Sequence, residues 1–136
     1  MNFDINIAAG LLAGAAAMIP GAVIYSPSVL GKRWMKEIGT SEKKLRESGG
    51  SPAMAVSKMF ITSILNGLVA SFVVWSAGAN SFGDAFLVAM ALGWFWVSAS
   101  LMLVFFENRS WTWFAISASS HLTTAAVIGV VLGLFV

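Results

Sequence analysis

Four long apolar runs constrain this chain more than any other feature of its sequence. They cover residues 5–26, 53–77, 83–106 and 111–135. Each run is long enough to cross the hydrocarbon of a bilayer, which takes about 20 apolar residues in a helix. Only 10% of the 136 residues are charged, whereas a soluble domain typically has about 25%. The chain has too little polar surface to fold in water, so we predict an all-α membrane protein with four transmembrane helices.

Short polar signals mark the ends of the apolar runs and support this division. Ser51-Pro52 is typical of a helix start, because serine caps the helix and proline at its first position loses no hydrogen bond. Ser81 and Asp84 have the spacing of a capping box. Within the first run, Pro20 predicts a kink, since it cannot donate to the carbonyl one turn back. We predict a single four-span domain over residues 1–136.

The cations are concentrated at one side of the predicted membrane. The loop of residues 28–51 is basic, and Arg109 lies in the turn between the third and fourth helices. The positive-inside rule therefore predicts both termini outside and both basic loops in the cytoplasm. Because this clustering has a membrane explanation, the pI of about 9.3 gives no reason to expect a nucleic-acid partner. The loop cations are Lys32, Arg33, Lys36, Lys43, Lys44 and Arg46.

A short amphipathic helix is predicted inside the basic loop, at residues 29–38. At helical spacing Leu30, Trp34 and Ile38 form an apolar stripe, and the cations lie on the other side. Such a helix lies in the membrane interface, with its tryptophan at headgroup depth and its cations toward anionic lipid. We expect a second, polar turn at residues 42–47.

Two interpretations of this amphipathic helix stay open. Its cations can serve only to set the topology and anchor the loop, or they can dock a partner protein or anionic lipid headgroups. Arg33 and Glu37 are also spaced to form an ion pair along one helix face. The candidate docking residues are Tyr25, Lys32, Arg33, Trp34 and Lys36.

The same stretch carries a resemblance to a known family. Tyr-Ser-Pro at 25–27, followed by Gly-Lys-x-Trp-Met-Lys-Glu-Ile-Gly at 31–39, resembles a family of short bacterial membrane proteins catalogued as domain of unknown function 1761. Residues 106–110, Phe-Glu-Asn-Arg-Ser, are similar to that family's Glu-Gly-Arg turn, with Asn108 in place of the glycine. The resemblance covers nearly the whole chain and implies a four-span protein of the bacterial inner membrane. It implies no known activity and assigns no functional residues.

Polar side chains at membrane depth are the candidate functional groups, because such groups are expensive there. His121 lies about 15 Å along the fourth helix from Trp111, near the midplane. Lys58 and Asn66 of the second helix, and Ser98 of the third, can join it in a polar layer. The candidate intramembrane residues are Lys58, Asn66, Ser98, Ser117, Ser120, His121 and Thr124.

A purely structural interpretation of these residues is also open. Serine and threonine in membrane helices commonly donate to a carbonyl one turn back. His121 and Asn66 can hydrogen-bond between helices. Lys58 can extend to the membrane surface or pair with Glu107.

Small residues repeat at four-residue spacing in every helix, which lets backbones approach closely. Four helices bury little surface among themselves, so we expect some of these faces to meet another subunit in a homo-oligomer. The alternative is that all of them pack within the chain. The glycines singled out for helix packing are Gly10, Gly14, Gly67, Gly93, Gly129 and Gly133.

Catalysis is the function that the sequence favours least. Ser117 and His121 are one turn apart but no third group completes a triad, and one histidine cannot hold zinc alone. We expect no enzyme activity, cofactor or metal. We predict a non-catalytic helical module that self-associates and binds membrane lipids, through anionic headgroups at the cytoplasmic face, or an unidentified partner protein. The alternative is a small-solute transporter or channel with a polar site near His121, Asn66 and Lys58.

Overall fold

The computed structural model describes residues 4–49 and 51–136, and the described chain contains seven helices. Four segments are long and apolar enough to cross a membrane: α1 with α2, α5, α6 and α7. The short helices α3 and α4 lie between the first and second spans. The predicted four-span, all-α fold is confirmed. The helices are α1 Ile7–Ala16, α2 Met18–Ile24, α3 Gly31–Glu37, α4 Glu42–Glu47, α5 Pro52–Ser76, α6 Phe82–Glu107 and α7 Trp111–Gly133.

The helix ends follow the capping chemistry of the sequence. Ser51 Oγ accepts a hydrogen bond from the Met54 amide at 3.1 Å at the start of α5. Ser81 Oγ accepts from the Asp84 amide and donates to the Asp84 carboxylate at 2.8 Å, which is the predicted capping arrangement. Asn108 ends α6 in the left-handed conformation with φ 57°. Glycine and asparagine adopt this conformation most readily, so asparagine can serve at this turn.

The first span is interrupted where the proline predicts it. α1 ends at Ala16 and α2 begins at Met18, with Ala17 between them. Pro20 has no N–H to donate to the Ala16 carbonyl, and its ring crowds that carbonyl. The predicted kink is therefore confirmed. Beyond the interruption, α2 lies against α7.

The four spans form two closely packed pairs, and the contacts between the pairs come mainly from the first span. α1 packs along α5 and α6 packs along α7, while α1 and α2 also lie against α7. α5 makes few contacts with either α6 or α7. The bundle is therefore closed on one side by the first span and left loosely packed between α5 and the α6–α7 pair.

The α1–α5 pair is held by an unusually close backbone approach. A Cβ placed on Gly67 would collide with the Gly10 carbonyl oxygen and lie 2.6 Å from the Gly14 Cα. At this crossing Ser63 Oγ donates to the Gly14 carbonyl at 2.7 Å. Ser71 Oγ donates to the carbonyl of Asn6, the residue that caps the start of α1, at 2.8 Å. Small residues and interhelical hydrogen bonds together drive helix association where lipid offers no hydrophobic gain.

The remaining packing glycines lie between α6 and α7. Gly93 faces Ala125, and a Cβ on Gly129 would lie 3.1 Å from the Ala89 Cβ. A Cβ on Gly133 would lie 2.6 Å from the Phe82 ring. All six glycines singled out in the sequence therefore have close neighbours within the same chain. Self-association is not needed to explain them and stays a prediction.

The helix α3 has the predicted amphipathic character. Trp34 is half-buried and meets the Tyr25 ring edge-on, with centroids 5.4 Å apart, whereas Lys32, Arg33 and Lys36 are exposed. The predicted Arg33–Glu37 ion pair is wrong. The Glu37 carboxylate instead accepts a hydrogen bond from Ser110 Oγ, which joins the end of α3 to the start of α7.

Replacing Gly67 with alanine tests the α1–α5 contact. The added methyl group has no room between the two backbones, so Gly67→Ala is expected to lower the free energy of unfolding by about 2 kcal/mol, as overpacking does in cores. The matched control is Gly21→Ala, because a Cβ there would have no atom within 4 Å. Denaturant unfolding in mild detergent, followed by circular dichroism, measures both. Equal effects of the two substitutions would contradict the close contact.

Candidate functional site

A cavity of about 550 Å³ opens between the first span, α5 and α7. We call it the intramembrane groove. It lies in the loosely packed side of the bundle, and α2 reaches it because the first span is interrupted at Ala17. It is lined by Ala17, Met18, Gly21, Tyr25, Lys58, Met59, Thr62, Ser63, Asn66, Trp96, Ser120, His121 and Thr124.

The groove gathers most of the polar residues that the sequence predicts. Lys58 and Asn66 come from α5, and Ser120, His121 and Thr124 come from α7. Two of the predicted residues, Ser98 and Ser117, do not line the groove. Ser98 donates to the Phe95 carbonyl of its own helix at 2.7 Å, and Ser117 is buried without lining the groove.

The groove residues leave several polar groups without a protein partner. Within the described residues, the Asn66 amide, the His121 ring nitrogens and the Lys58 ammonium make no hydrogen bond or ion pair. Glu107, the predicted alternative partner of Lys58, pairs instead with Arg109 at 3.4 Å. An unsatisfied polar group in hydrocarbon costs several kcal/mol. These groups are therefore available to hydrogen-bond a molecule that enters the groove.

The structural interpretation holds for other hydroxyl groups of the spans. Thr62 Oγ1 donates to the Lys58 carbonyl at 2.9 Å, and Ser119 Oγ donates to the Ala115 carbonyl at 2.7 Å. These hydroxyls satisfy themselves on their own helix, as expected for membrane spans. The His121 ring, by contrast, lies 6.2 Å from the Trp96 ring of α6, centroid to centroid, and makes no hydrogen bond within the part of the chain that the structure describes.

Sequence reasoning missed several groove residues. It placed Tyr25 at the membrane interface, whereas Tyr25 also lines the groove. Thr62 lies between Lys58 and Asn66 at four-residue spacing, and this stripe on α5 was the available signal. Gly21 has no atom within 4 Å of an added Cβ, so its missing side chain keeps the groove open. The other missed residues are Ala17, Met18, Met59 and Trp96.

A small apolar chamber of about 110 Å³ adjoins the groove. Asn66 and Trp96 line both spaces, so they stand at the junction between them. The combined space is polar toward Lys58 and apolar beyond Asn66. It has the character of a site for an amphiphilic molecule. The remaining residues of the chamber are Val69, Ala70, Ala89, Leu92, Phe95, Ala125 and Ile128.

The charge of the groove restricts what it can hold. The residues that line it include one lysine, Lys58, and no aspartate or glutamate. A cationic molecule would find no group there to neutralise it. The groove is therefore suited to an anionic or neutral molecule.

A family model described as "Protein of unknown function (DUF1761)" matches residues 8–133. The chain belongs to this family. The matched range includes every residue of the intramembrane groove and of the basic loop. Among curated proteins and among solved structures, none matches the chain.

Thiol labelling tests whether the groove of this DUF1761 protein admits water. The sequence has no cysteine, so Thr124→Cys and Ser98→Cys each introduce one thiol. Thr124→Cys is expected to react about tenfold faster with a water-soluble methanethiosulfonate, because only a hydrated thiol ionises to the reactive thiolate. Mass spectrometry of membranes quenched at timed intervals gives both rates. Equal rates would show that the groove is not hydrated.

Proposed function

We propose that this protein is a non-catalytic membrane module that binds a small amphiphilic molecule, anionic or neutral, in the intramembrane groove. One observation carries the proposal: polar groups of α5 and α7 that lack protein partners converge on a single cavity of about 550 Å³. Ligand sites are typically cavities of about 300–1,000 Å³ with a few convergent polar groups. The proposal combines lipid binding, predicted from the sequence, with the polar site that the sequence associated with transport.

The arrangement suggests how such a molecule would lie. Lys58 and Asn66 are eight residues apart on α5, or about 12 Å along the helix axis. A polar head near Lys58 would leave its body beside His121 and Asn66. An apolar tail would then extend past Trp96 into the chamber. Each part of the molecule would meet groups of matching polarity.

The lining chemistry supports binding rather than catalysis. It contains one histidine and one lysine but no carboxylate to orient either of them. Ser117 lies outside the groove, so the serine–histidine pair one turn apart does not share the site. A nucleophile with an oriented base, which acyl transfer needs, is not assembled among the groove residues.

Transport of the bound molecule is a second candidate function, favoured by the interrupted first span. Ala17, Met18 and Gly21 at this interruption line the groove. Transporters commonly place broken helices at their binding sites. A change in the angle between α1 and α2 would widen or narrow the groove, and this would let its contents move between the membrane and one surface.

Filling the groove at Gly21 tests the proposed binding. Gly21→Leu places a side chain into the open space, and Ala22→Leu adds the same bulk at an exposed neighbouring position outside the groove. A dansyl-labelled fatty acid is the probe, and its fluorescence rises on transfer from water to an apolar site. We expect Gly21→Leu to raise the dissociation constant at least about tenfold, with Ala22→Leu unchanged.

Two outcomes would contradict the proposal. One is the absence of saturable binding to the wild-type protein, and the other is an equal change in both variants. The same proteins in liposomes distinguish binding from transport. Transport requires wild-type protein to move the probe between leaflets faster than Gly21→Leu protein does, whereas binding alone leaves the two rates equal.

The proposal also includes the orientation and the partners expected from the sequence. The basic loop and the Arg109 turn lie at one end of the bundle, which supports a cytoplasmic location for this end in the bacterial inner membrane. Anionic lipid headgroups at that face, self-association and a partner protein remain parts of the proposal. The spans expose many large apolar residues, and these provide surface that lipids, a second copy of the chain or a partner protein could contact.

The orientation has a direct test. Lys43→Cys in the basic loop and Asn80→Cys in the opposite turn place single thiols at exposed positions. A membrane-impermeant maleimide added to intact spheroplasts is expected to label Asn80→Cys, and to label Lys43→Cys only after lysis. The reverse pattern would overturn the proposed topology.

A further inference from the structure

A second groove lies on the other side of α7, between this helix and α3. Its volume is about 460 Å³ and it shares no lining residue with the intramembrane groove. We call it the α3–α7 groove. It is lined by Leu30, Arg33, Trp111, Thr112, Ala115, Ile116 and Ser119.

The α3–α7 groove changes character from one end to the other. Arg33 is exposed on α3, within the basic loop that precedes α5. From Trp111 to Ser119 the wall descends eight residues of α7, or about 12 Å into the span. Ile116 is buried at its floor, and Ser119 donates to its own helix. The groove is thus cationic at its interfacial end and mostly apolar below.

The cation at the mouth has no carboxylate partner. In the part of the chain that the structure describes, Arg33 takes part in no ion pair, because Glu37 bonds Ser110. The neighbouring Arg109 is occupied differently: it pairs with Glu107 at 3.4 Å and lies over the Trp113 ring at 5.7 Å. The guanidinium of Arg33 is therefore the free cation of this groove.

We propose that the α3–α7 groove holds one anionic phospholipid. Its phosphate would bind the Arg33 guanidinium, whose planar fork of donors matches phosphate oxygens. One acyl chain would lie along Ala115 and Ile116. A groove that begins at a cation and continues down a membrane span fits a molecule with an anionic head and an apolar chain. The lipid would bridge α3 and α7 and so add to the Glu37–Ser110 bond that joins them.

Native mass spectrometry with phosphatidylglycerol tests this site. Delipidated protein in a neutral detergent is titrated with the lipid, and the fraction of protein carrying it is measured. Arg33→Gln is expected to reduce the apparent affinity about tenfold. The matched control is Lys32→Gln, which removes the same charge from the adjacent exposed residue but does not line the groove. It is expected to change the affinity less than about twofold.

A second variant removes the space without changing the charge. Ala115 is exposed, so Ala115→Trp can fill the apolar part while the helix is retained, and it is expected to reduce lipid binding as strongly as Arg33→Gln. Equal losses from Arg33→Gln and Lys32→Gln would overturn the proposal, since they would indicate attraction by net charge alone. Unchanged binding in Ala115→Trp, or no retained phosphatidylglycerol on wild-type protein, would also overturn it.

Discussion

The contact between α1 and α5 at Gly10, Gly14 and Gly67 is the constraint on which the rest of the bundle depends. The two backbones are so close that no side chain fits between them, and Ser63 adds a hydrogen bond across the crossing. This contact commits α5 to the first span. Since α6 and α7 are paired by their own small residues, α5 is left with few contacts to them. The intramembrane groove occupies the space that this uneven packing leaves.

The polar side chains of the intramembrane groove are candidate binding groups because they lie on membrane-spanning helices. An amide or imidazole at membrane depth is stable only with a partner, and hydroxyls such as Thr62 find one on their own helix. Within the described residues Asn66 and His121 have no such partner, and both line the intramembrane groove together with Lys58. The interruption at Ala17 brings α2 to the same space. The uneven packing of the helices and these polar groups without protein partners are the observations that support the proposed binding function.

Much of the fold could be predicted from the sequence because membrane physics leaves few choices. The lengths of the apolar runs predicted the four spans. Ser51 and Ser81 predicted where two helices start, and Pro20 predicted the interruption of the first span. Five of the seven candidate polar residues line the groove, because helical spacing places Ser120, His121 and Thr124 on one face. The mutual rotation of the helices could not be predicted. Because of this rotation, Trp96 lines the intramembrane groove and Ser98 does not. The rotation depends on which helix packs against each glycine-containing face. The Glu37–Ser110 bond was likewise out of reach, because it joins residues far apart in the chain.

Photo-crosslinking with photo-methionine tests the central claim, that the intramembrane groove holds its own molecule in the cell. Met18 is half-buried and lines the groove, whereas Met102 is exposed on the outer surface of α6. Both positions are labelled in one preparation, illuminated in intact membranes and mapped by tandem mass spectrometry of the peptides. The account predicts an adduct of defined mass on Met18 that is missing from Met102, where ordinary phospholipid fragments appear. Identical adducts at the two positions would contradict it.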